Sequence, residues 1–242
     1  MTCIIAIETA TEACSAALLI EKNGKQSIHK RFQLAPREHT KLILPMLDEV
    51  LADAELKISD IDAIAFGRGP GAFTGLRIAT GIAQGVALSI DKPTLPVSSL
   101  KAMALAAHKE TSSDNTNPCI IVAIDARMGE VYWAEYQVID GSVEQVGEEQ
   151  LSKPEEMFGK VDSLVENNSI IVIGSGWDEY MDTFQDRSNI AKTLEYLSGK
   201  FPDAAEVAEL ALLAFDNGET QSIEDAQPVY LRNNVAEKSK KK

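Results

Sequence analysis

The stretch CIIAIETATEACSAALLI, residues 3–20, has a counterpart in CIIVAIDARMGEVYWAEYQV, residues 119–138. Each reads as an apolar strand ending in a carboxylate, a small polar turn, and a second apolar strand. Glu8 and Asp125 occupy equivalent places at the ends of the leading strands. Duplication of a hairpin-led α/β unit is favoured over two unrelated hairpins that look alike.

The first hairpin is followed by a third strand near SIHKRFQL and a helix from His39 to Ala54. Ile43, Leu47, Val50 and Ala54 form one face of that helix, while Leu42 and Met46 point elsewhere. Pro45 inside the run predicts a kink or a late helix start. IDAIAF is the next strand, and GRGPGAFTGLR, Gly67 to Arg77, turns it into a helix over Phe73–Ile90. Ile78, Ile82, Val86 and Ile90 mark its expected main face, with Ala79, Ala83 and Ala87 beside it. Gly81 and Gly85, four apart, allow close helix–helix approach at some cost in helix propensity. Ser98 or Ser99 caps a third helix that runs to about His108.

ETSSDNTNP, Glu110 to Pro118, is polar and turn-rich and reads as a linker. The chain then divides into a lobe over residues 1–109, a lobe over residues 118–230 and a basic tail over residues 231–242. In the second lobe, strand SIIVI leads into GSGW and helices follow. The clearest is DAAEVAELALLAF, with Asp203 and Glu206 as a capping-box-like start and Asn217–Gly218 as a stop. Strands interleaved with helices predict α/β layers.

The 242 residues carry a formal charge of −14. Residues 1–139 contribute −3, residues 140–230 contribute −15 and the tail contributes +4. Phosphate neutralisation dominates nucleic-acid affinity, so a chain this acidic is expected to bind nucleic acid poorly by itself. The KSKKK end reads as a disordered, solubilising segment. No apolar run approaches the ~20 residues of a membrane span, and the N-terminus reaches Glu8 without a basic segment. A cytoplasmic protein without a membrane partner is expected. Cys3, Cys14 and Cys119 lie in apolar runs and read as buried, reduced thiols.

The glycine-rich turn fails as a phosphate loop, because Gly75 is followed by Leu76 and Arg77 where a Walker motif needs Lys and Ser or Thr. It also lacks the ribose contact of a dinucleotide fold about 20 residues on. A sharp structural turn explains more of its residues. Arg77 near a helix N-terminus opposes the helix dipole, which calls for a buried partner or a binding role. His29, His39 and His108 match no metal spacing, and no nucleophile elbow is present. No metal site is expected. Two duplicated hairpins facing a cleft form the actin-like nucleotide architecture. Such ATPases offer Asp-x-Gly-Ser/Thr in the first hairpin, whereas this chain has Glu8-Thr9-Ala10-Thr11. The longer acid and the missing glycine compromise close backbone approach to phosphate. Glu8, Thr11, Arg77 and Asp125 are the candidate anion or nucleotide contacts. The two over-apolar helices must bury their surface within the lobe or against a partner helix pair.

AIETATEACSAALL, REHTKLILPMLDEVL, GRGPGAFTGLRIATGIAQG, AIDARMGEVYWAEY and the late QPVYLR together resemble the TsaB (YeaZ) family. The likeness extends from residue 4 to about residue 232, and GPGAFTGLR is its most specific block. The resemblance implies an α/β fold of the actin/Hsp70/sugar-kinase (ASKHA) type, with two RNase H-like lobes, the second reduced. It implies a subunit without catalytic residues of its own. Members pair with a metal-bearing subunit, TsaD, which transfers threonylcarbamoyl to adenosine 37 of tRNAs reading ANN codons. An ATPase, TsaE, joins the assembly, and a separate enzyme makes the threonylcarbamoyl-adenylate. The resemblance places the TsaD contact on the two over-apolar helices, at Leu42, Pro45, Met46, Phe73, Arg77, Thr80, Gly81, Gln84 and Gly85. It leaves room for ATP or ADP at the subunit junction and for a homodimer of the lone chain. The His-x-x-x-His metal motif of the TsaD branch is absent, so peptidase activity does not carry over. A stand-alone sugar-kinase-like enzyme is the rival reading, and a metallopeptidase a weaker one.

Overall fold

The computed structural model describes all residues except 112–117, 165–168, 188–193 and 233–242. Most of the expected linker and the KSKKK end therefore lie outside the described residues.

The first half runs β1 (Thr2–Glu8), β2 (Ala13–Lys22), β3 (Lys25–Leu34), α1 (His39–Asp53), β4 (Ala63–Gly69), α2 (Phe73–Ile90), β5 (Thr94–Ser98) and α3 (Ser99–Glu110). The second runs β6 (Cys119–Asp125), β7 (Val131–Ile139), β8 (Ser142–Ser152), α4 (Pro154–Leu164), β9 (Ile170–Ile173), α5 (Ser175–Arg187), β10 (Glu195–Leu197) and α6 (Ala204–Asp216). The two five-stranded sheets have orders β3-β2-β1-β4-β5 and β8-β7-β6-β9-β10. In each, three antiparallel strands continue into two parallel ones across the leading strand. The duplication expected from the hairpins is thus a duplication of sheet topology. The second sheet keeps all five strands, but β9 and β10 shrink to 4 and 3 residues.

Strands β1 and β6 are apolar from Cys3 to Ile7 and from Cys119 to Ile124 because both faces of each are covered. Cys3, Ile5 and Ile7 pack with α1, whereas Ile4 and Ala6 pack with α6. Likewise Ile120, Val122 and Ile124 pack with α3, and Ile121 and Ala123 with Trp177 of α5 and Phe158 of α4.

Two helices pack across the expected division at residues 109 and 118. Helix α3 belongs to the first half by sequence but lies on the second sheet, and α6 belongs to the second half but lies on the first. The two exchanged helices also touch each other, Lys109 of α3 reaching Glu206 at 2.8 Å and Glu209 at 2.6 Å on α6. Ser98 caps α3 by accepting from Lys101 N, and Asp203 caps α6 by accepting from Ala205 N.

Helix α1 starts at His39 and runs on through Pro45, so the late start does not occur. Met46 joins Ile43, Leu47 and Val50 in the core rather than pointing away. In α2 the faces are exchanged relative to expectation. Leu76, Ala79, Ala83 and Ala87 are buried, while Ile78, Ile82, Val86 and Ile90 are only partly covered. Small side chains let the helix axis come close to β4, and the branched residues spread to its flanks.

Candidate functional site

The loop between β4 and α2 is where the two hairpin turns and the long helices meet. A Cβ at Gly75 would strike the carbonyl of Thr9, one at Gly71 the carbonyl of Ala10, and one at Gly67 the carboxylate of Glu8. The glycines therefore seat the loop directly on the β1–β2 turn. Thr9 Oγ1 donates to Gly75 O at 2.8 Å, and Ala72 N donates to Ala10 O at 2.7 Å. By contrast, a Cβ at Gly81 or Gly85 meets nothing. Close approach by the loop glycines is internal, and that by the helix glycines finds no neighbour among the described residues.

Glu8, the first of the four candidate anion contacts, does not reach the cleft. It is fully buried, accepts from Ser99 Oγ at 2.7 Å and from Ala10 N at 2.6 Å, and fills the space left by Gly67. Burial pushes its carboxyl up to about 6, against the lowering effect of the Ser99 hydroxyl and the Ala10 and Thr9 amides. Thr11, Arg77 and Asp125 do line the inter-lobe cleft, a cavity of about 540 Å³. Thr11 Oγ1 accepts from Ala13 N at 3.3 Å. Sequence reasoning missed Arg127, which lines the cleft from the β6–β7 turn. It reaches Glu12 of the β1–β2 turn at 2.5 Å and Asp125 at 3.3 Å. Two carboxylates and an already paired guanidinium thus stand where the facing turns would hold phosphate.

The nine candidate interface residues divide into two sets. Pro45, Phe73, Arg77, Gly81 and Gly85 are exposed. Leu42 is half-buried against the first core, and Met46 and Thr80 are buried. Gln84 is bound internally, its Nε2 donating to Ala226 O at 2.9 Å and to Ile223 O at 3.3 Å. Leu44 of α1, 52% exposed, and Leu88 of α2, 72% exposed, extend the apolar surface and were not singled out from the sequence. Their signal was available: both stand off the buried stripe of their helix. Among the described helices α2 alone is long and apolar enough to cross a membrane, yet only 33% of it is buried. Its alanine stripe on β4 accounts for the buried side and leaves an apolar outer side.

Arg77 lies over the Phe73 ring, 3.7 Å from its centroid, and its Nε donates to Tyr230 OH at 3.1 Å. Tyr230 stacks on Phe73 at 5.3 Å. Between the lobes Arg68 of β4 grips Glu149 of β8, whose carboxylate also accepts from Ser98 Oγ.

Two hairpin-led lobes with exchanged helices, facing each other across a cleft, define a protein of the actin, Hsp70 and sugar-kinase architecture. The sequence profile of the family described as TsaD, tRNA N6-adenosine threonylcarbamoyltransferase, matches residues 19–240. The chain is 42% identical, over 96% of both chains, to the tRNA threonylcarbamoyladenosine biosynthesis protein TsaB of Escherichia coli. It is 38% identical to the protein of the same name from Haemophilus influenzae, over 96% of this chain and 94% of that one. A solved structure described as YeaZ from Pseudomonas aeruginosa is 37% identical and superposes with a TM-score of 0.82, covering 96% of this chain and 100% of that one. The chain belongs to the TsaB (YeaZ) family.

Proposed function

We propose that this chain is the non-catalytic subunit of tRNA threonylcarbamoyladenosine synthesis. In this reading it docks through α1 and α2 on a TsaD-like catalytic subunit, with a TsaE-like ATPase, and supports threonylcarbamoyl transfer to adenosine 37 of ANN-decoding tRNAs. The observation that carries it is the outer side of α2. Gly81 and Gly85 have open space where a Cβ would be, flanked by exposed Phe73 and Leu88 and by Leu44 and Pro45 of α1. Exposed apolar side chains and two glycine notches suit a second helix pair better than water. A lone chain would satisfy the same face with a second copy, giving a homodimer that the catalytic subunit displaces.

The paired charges of Arg127, Glu12 and Asp125 support a subunit that does not turn over ATP in its own cleft. ATP or ADP would then bind at the junction with the partner, and tRNA would meet the partner first, given the −14 charge of this chain. Reconstitution tests this reading. With a TsaD-like subunit, a TsaE-like ATPase, tRNA, ATP and threonylcarbamoyl-adenylate, modification is expected only when this chain is present. Robust ATP turnover by the lone chain, lost in Asp125→Asn, would favour the sugar-kinase reading instead.

A further inference from the structure

Two sequence blocks far apart in the chain, GRGPGAFTGLR and QPVYLR, are joined in space. After α6 the backbone turns at Gly218, φ +75°, and residues 219–232 run back across the first lobe. Thr94 and Gln221 exchange both backbone hydrogen bonds at 2.9 Å, which covers the outer edge of β5. Gln84 of α2 then holds the carbonyls of Ile223 and Ala226, and Ala226 is fully buried in the first core. Val229 N donates to Arg68 O at 2.8 Å, and Tyr230 meets Arg77 and Phe73 on the first turns of α2. The segment ends on the second lobe. The Arg232 guanidinium donates to Arg127 O at 3.3 Å and to the Glu130 carboxylate at 2.5 Å, both in the β6–β7 turn.

We propose that residues 219–232 form a clasp that shapes the partner-binding side of α2 and ties it to the separation of the two lobes. Tyr230 is its positioning residue. Without the Tyr230 hydroxyl and ring, Arg77 and the 45% exposed Phe73 would sample several rotamers, and docking would have to order them. Arg232 is the link to the second lobe, because its partners lie in the turn whose Arg127 also reaches Glu12. A movement of that turn therefore pulls on a segment anchored along α2. The proposal rests on the reading that this side of α2 receives the TsaD-like subunit.

The test uses the full chain with Tyr230→Ala, Tyr230→Phe and Arg232→Ala. Pairing with a purified TsaD-like subunit is measured by calorimetry, and amide exchange of α2 is followed in the lone chain. Spin labels at exposed Lys57 and Glu144 report lobe separation. Tyr230→Ala is expected to weaken pairing by about tenfold or more while the melting temperature shifts by only a few degrees. Tyr230→Phe should recover part of the loss, since the ring contact with Phe73 remains. Arg232→Ala should widen the label distance, speed exchange in α2 and weaken pairing. Unchanged pairing in both alanine variants, or unchanged exchange and label distance in Arg232→Ala, overturns the clasp. Failure of the unmodified chain to pair would instead sink the docking reading, and the lone-chain exchange and distances would still decide the clasp.

Discussion

Arg68 and Glu149 close on each other through two hydrogen bonds, 3.0 and 3.1 Å long, although one lies on β4 of the first sheet and the other on β8 of the second. The Glu149 side chain is 6% exposed and that of Arg68 25%, so the pair is largely withdrawn from water. It ties the two lobes together in addition to the Arg127–Glu12 pair.

Removing one partner of this pair leaves a buried charge uncompensated. Arg68→Met is expected to cost about 3 kcal/mol in denaturant unfolding. The double variant Arg68→Met/Glu149→Leu should recover more than half of that loss, because no lone charge remains. A double loss equal to the sum of the Arg68→Met and Glu149→Leu losses would mean that the two groups act independently.

The loop glycines and the helix glycines should respond oppositely to a methyl group. Gly75→Ala drives a Cβ into the Thr9 carbonyl and should destabilise the chain by about 2 kcal/mol or more. Gly81→Ala enters open space on a helix and should stabilise it by about 0.5–1 kcal/mol. Thermal unfolding of the two variants gives the comparison, and a destabilised Gly81→Ala would show that something covers that face in the lone chain.

The same outer face should tolerate large or charged residues until a partner is added. Leu88→Lys is expected to leave stability within about 0.5 kcal/mol and Gly81→Leu to raise it by about 0.5–1 kcal/mol as Gly81→Ala does, since neither side chain touches the core. Each should reduce pairing with the TsaD-like subunit by about tenfold or more in co-purification or calorimetry. Unaltered pairing would remove α2 from the interface.

Glu8 gives a pH signature. Its carboxyl titrates near 6 in the fold, against 4.5 for the ordinary group, so the folded chain binds this proton more tightly than the unfolded one. The cost of burying the charge is present in full above about pH 6. It is relieved as pH falls from there and is gone below about 4.5, a change of about 2 kcal/mol from this group. Glu8→Gln keeps a carbonyl for Ala10 N and an amide toward Ser99, so it should flatten that part of the stability profile. A profile between pH 4.5 and 6 that is the same in both proteins would show that Glu8 is charged without penalty.

The leading strands, the duplicated hairpins, the starts of α2 and α3 and the glycine turn were all legible in the sequence. Each depends on interactions within a few residues: alternation, capping and turn chemistry. What the glycines of that turn avoid was not legible, because Gly67, Gly71 and Gly75 make room for Glu8, Ala10 and Thr9, some sixty residues earlier. Periodicity also chose the wrong side of α2. It ranks isoleucine above alanine for burial, whereas the distance between helix and sheet favoured alanine. Met46 was assigned outward by periodicity and is absorbed by the first core, while Gln84, assigned to the interface by the family resemblance, is held by a segment about 140 residues away. The sequence alone determined the fold class and the family, since both follow from local pattern and from quoted blocks. Which helix covers which sheet, where Glu8 points, and how QPVYLR meets GPGAFTGLR were decided only by tertiary structure. Those contacts join residues remote in the chain, and their energy depends on packing distances that no local pattern encodes.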